Sequence, residues 1–485
     1  MIRRLAAACS LVLLAATGLH AQEVPLSRLL PDLLARAVVT PSSRNVPAGG
    51  AGIPHEAHFL PALAQQSAAY ELNRSIVTYL ATFPIGSSSG GFTYEADTAT
   101  GIPRRSSGNF GPSFAERALT VGKGQFTAGF NFQAVSYDRF EGLELEDADA
   151  GGPAFYLEHN DCCILQLPDG TPGPGNTPKD PPFEGDILRM VLGLDLKSTT
   201  AAFFASYGLT DSLDVGVAVP FVKVEAEARI LGTLQRISGA NPLIHTFAAN
   251  QDVSQVEFTS SGSASGLGDV VFRAKYNFLR QPGGGLALGA DLRLPTGDKD
   301  DLLGTGATQT KLYLIYSGDF GRVSPHLNVG YTFSSGELAS GVGFETPGDG
   351  FGETVFRGQG PPTAADLSVP DEINYTGGLT FVVSPRVTLS VDAIGRTVRD
   401  ANRFGVTSRT FQFRTTLGGS VQTATRDDVV GITGTGENLN TMLGVAGIKV
   451  NLTRTLLLTG NVLFPINDAG LRAKVAPVLG LDYAF

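Results

Sequence analysis

The chain has 485 residues, of which 42% are hydrophobic and only 17% charged, against roughly 25% charged in soluble domains. Its formal charge of −10 falls to −12 if Arg3 and Arg4 leave with an N-terminal leader, which argues against a nucleic-acid partner. Sixty glycines suit tight turns and strands crowded against a narrow interior.

Arg3 and Arg4 precede an apolar run that reaches Leu19-His20-Ala21. A charged start, a short apolar core and a small-residue cleavage site predict a secretory signal over 1–21. No other stretch approaches the roughly 20 apolar residues of a membrane-spanning helix. Cys9 sits inside the signal. Cys162 and Cys163 are adjacent, and a vicinal pair cannot staple a fold, so no role is assigned to them.

Residues 22–113 form a second region. Leu26 to Val39 and Ala57 to Phe83 carry apolar residues at helical spacing, among them Leu60, Leu63, Leu72, Ile76, Tyr79 and Leu80. A Pro/Gly-rich linker lies at 46–54 and a Gly/Ser hinge at 86–91. Three expectations stand for 22–113: a periplasmic segment, a plug folded back into a lumen, or a loosely ordered leader.

From Gln125 onward, over 114–485, apolar residues alternate with polar or small ones, the side-chain period of a β-strand. The apolar faces begin with Phe126, Phe130 and Phe132. They continue with Leu188 to Leu196, Leu213 to Phe221, Val270 to Phe278, Leu286 to Leu294 and Leu312 to Tyr316. Further faces run over 323–333, 373–383, 387–391, 442–450, 456–464 and 473–485. Short connections (208–212, 280–284, 318–322, 384–386, 453–455) alternate with longer ones (138–186, 232–265, 296–307, 335–371, 401–438, 466–471). That asymmetry belongs to an outer-membrane barrel and not to a sandwich or propeller. The fold class is therefore all-β: a transmembrane antiparallel up-and-down β-barrel of about twelve strands, fourteen also being allowed, with a partly helical N-terminal segment. The final strand ends on Phe485, leaving an edge that only closure or lipid accommodates. No Trp is present, so Tyr276, Phe278, Tyr316, Phe381, Tyr483 and Phe485 are expected near the short turns. Phe221, Tyr331, Phe333, Tyr375 and Phe464 are their counterparts near the loops.

The opposite faces carry charge, which is costly toward lipid and so must meet water or a counter-charge. The lumen-lining candidates are Asp269, Arg273, Lys275, Asp291, Arg293, Lys311, His326, Asp392, Lys449, Lys474 and Asp482. Hairpin pairing is expected to set Arg273 and Lys275 against Asp291 and Arg293. Two readings stand: a charged lining that selects solutes, or a salt-bridged lumen that holds the barrel closed. Ser324, His326 and Asn328 share one strand face. Alternate strand residues lie about 6.6 Å apart, too far for a nucleophile–base hydrogen bond of about 3 Å, so no enzyme is expected. His55, His58, His159 and His245 lack metal-ligand spacing, and no cofactor is expected. The acidic loops at 144–149 and 296–301 do not fit calcium-loop spacing.

Two stretches, G-L-G-D-V-V-F-R-A-K-Y-N-F at 266–278 and L-R-L-P-T-G-D at 292–298, resemble the bacterial outer-membrane family labelled for the meta-pathway of phenol degradation. The run F-P-I-G-S-S-S-G-G-F-T-Y at 83–94 is similar to leaders of some relatives. The resemblance implies a transporter-like barrel. More loosely, it implies kinship with plugged channels that admit hydrophobic compounds such as aromatics or fatty acids. The expected function is an outer-membrane channel for small solutes, hydrophobic or aromatic ones among them. The alternative is a sealed structural or surface-interaction barrel acting through its long loops. Expected partners are outer-membrane lipid and lipopolysaccharide, a small-molecule solute, and the barrel-assembly machinery engaging the strand that ends in Phe485.

Overall fold

The computed structural model describes residues 25–30, 33, 59–60, 76, 79–80, 91–96, 103–145, 152–159, 186–236, 245–247, 251–337, 368–401, 404–417, 420–434 and 437–485. The expected signal at 1–21 and the pair Cys162 and Cys163 lie outside them. Twelve strands close into an antiparallel barrel. The first six are β1 (Phe126–Tyr137), β2 (Ile187–Gly208), β3 (Leu213–Gln235), β4 (Val271–Gln281), β5 (Gly284–Arg293) and β6 (Ala307–Ser317). The others are β7 (Val323–Gly336), β8 (Glu372–Ser384), β9 (Val387–Val398), β10 (Leu439–Asn451), β11 (Leu456–Pro465) and β12 (Ala476–Ala484). These are the twelve alternating stretches of the sequence, each paired with its neighbours in chain order. Closure comes from β12 on β1, in register from Val478↔Gln133 to Ala484↔Thr127. Phe485 N adds a last hydrogen bond to Phe126 O at 2.9 Å.

The pleat explains what faces where. On β6, Leu312 and Leu314 are 52% and 46% exposed, while the interleaved Tyr313 and Ile315 are buried. The same outward exposure recurs around the wall at Phe272, Leu288, Leu327, Val391, Val462 and Leu479. A continuous apolar belt of this extent cannot face water, where soluble proteins keep apolar patches to a few hundred Å². It is the lipid face of a transmembrane barrel. Among the described residues no helix is long and apolar enough to cross a membrane; the strands make the crossing. The protein is thus a β-barrel of the bacterial outer membrane. Its short turns gather at one end with both barrel termini, and its long connections at the other.

Two strands far outrun the bilayer. A crossing needs about 9–11 residues, but β2 has 22 and β3 has 23. A further strand, Gln255–Leu267, pairs with the far half of β3. Along the outer face of β3, Val217, Val219 and Phe221 give way to Lys223, Glu225 and Glu227, which marks the membrane boundary. Beyond it, exposed ion pairs join Lys223 to Glu225 at 2.8 Å and Lys197 to Asp195 at 2.6 Å.

This geometry corrects the reading of β2. Leu188, Met190, Leu192, Leu194 and Leu196 are buried, not lipid-facing. They point inward above the membrane and share a core with Leu26, Leu29, Leu30 and Leu33 of the N-terminal segment. The lipid face of β2 is the opposite phase, with Phe203 and Tyr207 exposed. Leu26–Leu30, Leu33, Ile76, Tyr79 and Leu80 are helical as their spacing predicts. Leu60 is not: Phe59–Leu60 is a short strand paired with Glu158 and His159.

Candidate functional site: the lumen and the segment inside it

Described parts of the chain before β1 are found at both ends of the barrel and inside its lumen. At the long-loop end Ser27 N donates to Asp300 O at 2.9 Å, and the Tyr79 hydroxyl lies 3.5 Å from Ala469 O. At the short-turn end Gly124 N donates to Gly208 O at 2.8 Å. Between these ends residues 109–121 are fixed to the inner wall almost entirely by side chains. Asn109 Nδ2 donates to Ser324 Oγ at 2.6 Å. Glu116 and Asn328 exchange two bonds, Glu116 N to Oδ1 at 2.6 Å and Nδ2 to Glu116 O at 2.9 Å. Asn277 Nδ2 reaches Ala118 O and Val121 N reaches Asp214 Oδ2, both at 2.8 Å. The wall thus satisfies a non-regular backbone that would otherwise carry buried, unpaired polar groups.

Several of the predicted lumen residues serve this attachment. Lys275 Nζ donates to Leu119 O at 2.8 Å and lies 3.5 Å from Asp214 and 3.7 Å from Glu116 carboxylate oxygens. Lys449 Nζ donates to Phe110 O and Pro112 O at 3.3 and 2.8 Å. Arg273 bridges Glu116 at 3.2 Å and Asp291 at 3.3 Å. His326 Nε2 lies 2.5 Å from Asp392 Oδ1, with both side chains buried. The Asp482 carboxylate lies over Gly129 on the neighbouring strand, 2.5 Å from where a Cβ would sit.

The long-loop half of the lumen is different. A cavity of about 180 Å³ is lined there by Arg273, Asp291, Arg293, Lys311 and further residues of the inner wall. Asp291 stands between Arg273 and Lys311 in register and accepts from the Tyr313 hydroxyl at 3.0 Å. The Tyr313 ring lies across Gly289, where any Cβ would collide with it, and a Cβ at Gly330 would meet the Tyr313 Cβ and the Leu312 carbonyl. Glu372 holds Arg396 at 3.4 Å and accepts from Asn374 at 3.0 Å. Tyr79, from the N-terminal segment, lies against both Arg396 and Arg472, at 4.9 and 5.7 Å from its ring centre.

Three expectations shift in detail. Lys275 pairs with Gly289 and Arg293 with Val271, so only Arg273 and Asp291 face each other directly across the hairpin. Lys474 lies outside the lumen: its side chain is 74% exposed and pairs with Asp138 at 3.2 Å, because it precedes β12 in the loop. Asp269 anchors a loop instead of lining open space, accepting from Thr305 N and Oγ1, both at 2.8 Å, and from Gly297 N at 3.1 Å.

Sequence reasoning passed over Glu116, Asn109, Glu372 and Arg472. The signal for the first two is N-F-G-P-S-F-A-E-R at 109–117, a Gly/Pro-containing charged run abutting a membrane strand. Such a run is intolerable in lipid and must find polar partners inside the barrel.

Residues 170–347 match the sequence model of the family labelled MetA-pathway of phenol degradation, and both motifs at 266–278 and 292–298 fall within that stretch. No curated protein matches. Among solved structures the chain is similar to an outer membrane channel from Pseudomonas putida F1, at 13% identity and TM-score 0.37, covering 76% of this chain and 97% of that one. A FadL homologue from Pseudomonas aeruginosa gives 11%, TM-score 0.28 and coverage of 76% and 91%. The toluene transporter TbuX from Ralstonia pickettii gives 10%, 0.25 and coverage of 75% and 90%.

Proposed function

We propose that this transporter-type barrel passes small solutes, hydrophobic or aromatic compounds among them, past an N-terminal plug. The plug comprises residues 22–113 and continues to the start of β1. One observation carries the reading: the short-turn half of the lumen holds a segment attached through side-chain hydrogen bonds and ion pairs, while a cavity remains above it. Bonds of this kind are individually worth about 0.5–3 kcal/mol, so the plug can rearrange without breaking the wall. A barrel meant only as a sealed wall gains nothing from a second chain segment in its interior.

Aromatic solutes are favoured by the cavity's own apolar lining of Phe114, Val271, Ile394 and Leu443. The barrel-assembly machinery is the proposed reader of the last strand, whose Phe485 ring lies 5.3 Å from that of Phe126 and 4.6 Å from that of Tyr483. Lipopolysaccharide is the proposed outer-leaflet neighbour of the wall. No hydrolytic role is proposed: Ser324 is engaged by Asn109 and His326 by Asp392.

The test is single-channel conductance of the mature protein in planar bilayers, compared with a variant lacking residues 22–113. Conductance that rises on deletion supports a plugged channel. Silence from both proteins, each shown to be folded by its heat-modifiable migration, supports the sealed barrel.

A further inference from the structure

The cavity in the long-loop half combines two surfaces that water alone does not require. One is apolar, formed by Phe114, Ile394 and Leu443. The other is cationic: among the described lining residues five side chains are Arg or Lys and two are carboxylates. Most of these charges have partners on the wall, so the excess rests on two of them. Arg472 is 2% exposed, and its Nε and Nη1 have no hydrogen-bond partner, although Nη2 donates to Asn467 Oδ1 at 2.6 Å. Buried guanidinium N–H groups left without acceptors are costly, and here they border a space large enough for a guest. Lys311 makes a ring contact with Tyr313 at 4.9 Å and stands in register with Asp291. Asp291 is bonded by the Tyr313 hydroxyl and Arg273, and among the described residues the Lys311 ammonium makes no hydrogen bond or ion pair beside its ring contact, so it can serve another anion.

We propose that this cavity binds a small organic anion: one carboxylate on an apolar, ring-sized body. Arg472 and Lys311 receive the carboxylate and the apolar lining receives the body. The proposal deepens the solute-channel reading and rests on it. Size agrees, since an apolar cavity of about 150 Å³ holds a benzene ring and this one measures about 180 Å³. The charge also agrees: a buried guanidinium with open donors at Nε and Nη1 favours a carboxylate, which accepts charge-assisted hydrogen bonds. A neutral hydrocarbon would leave those donors buried and unsatisfied.

The probe is benzoate, titrated calorimetrically into the full mature chain in detergent, beside benzyl alcohol, which keeps the ring and lacks the charge. The expected result is saturable benzoate binding, weakened at least tenfold in Lys311→Gln and in Arg472→Gln, with no saturable binding of benzyl alcohol. Lys311→Gln decides, because Arg472 also supports Tyr79 and Asn467 and its replacement can disturb the fold. No benzoate binding, equal binding in folded Lys311→Gln, or equally tight benzyl alcohol overturns the proposal. Uptake into proteoliposomes separates the two claims. Benzyl alcohol uptake without benzoate binding keeps the channel and removes the anion site. Saturable benzoate binding without uptake of either compound keeps the site and removes the channel.

Discussion

His326 on β7 and Asp392 on β9 are 2.5 Å apart at Nε2 and Oδ1, yet their strands are not neighbours. Between them lies Gly378 of β8, in register with both. A Cβ at Gly378 would strike the Asp392 carboxylate and the Val391 carbonyl. The glycine is what lets an imidazole reach over an intervening strand. Gly378→Ala is expected to destabilise the barrel by about 1–3 kcal/mol through overpacking. Gly377→Ala is the control, since its Cβ points to the other face and meets the end of the flexible Leu327 side chain at 3.3 Å and the His326 carbonyl at an ordinary 3.7 Å. The temperature at which the folded band converts on gels should fall for Gly378→Ala and hold for Gly377→Ala.

Lys275 ties the proposed plug to the wall through Leu119 O and stands between the carboxylates of Glu116 and Asp214. Lys275→Met leaves the Asp214 carboxylate buried without its cation and Glu116 with Arg273 alone, a loss of about 3–5 kcal/mol. The plug should loosen and channel openings become more frequent in bilayer recordings. Adding Asp214→Asn should return part of the loss, because the stranded charge disappears. A double variant as leaky as the sum of its parts would mean that the two residues act independently.

The N-terminal helix caps the long-loop end by burying Leu33, which is fully inaccessible, beside Leu29 and Leu30. Leu33→Asp places a charge in that core. Limited proteolysis of the reconstituted protein should then cut the N-terminal segment while the barrel band survives. Equal resistance in both proteins would show that the leucine core does not hold the cap.

Along β3 the same outward face crosses from lipid to water. Val217→Arg, within the belt, should cost about 2–4 kcal/mol if it lies near the bilayer midplane, read from urea titrations of refolding into phospholipid vesicles. Glu227→Arg, five pleats farther along that face, should change little, since surface substitutions usually stay within about 0.5 kcal/mol.

The alternating pattern and the lengths of the connections pointed to about twelve strands, to their closure into a barrel and to the asymmetry of its two ends. A period of two is a local property, and a membrane forces each such segment to pair at both edges. Inward charges such as Lys275, Asp392 and Lys449 were legible for the same reason, since lipid excludes them. What alternation cannot report is what covers an apolar face. Leu188 to Leu196 read as lipid-facing, but tertiary structure covers them with the N-terminal leucines, because β2 continues past the bilayer where protein replaces lipid as the apolar neighbour. The partners of Glu116, Asn109 and Arg472 were equally invisible. They depend on which rungs of distant strands meet the threaded segment, and only closure of the barrel around that segment fixes those distances.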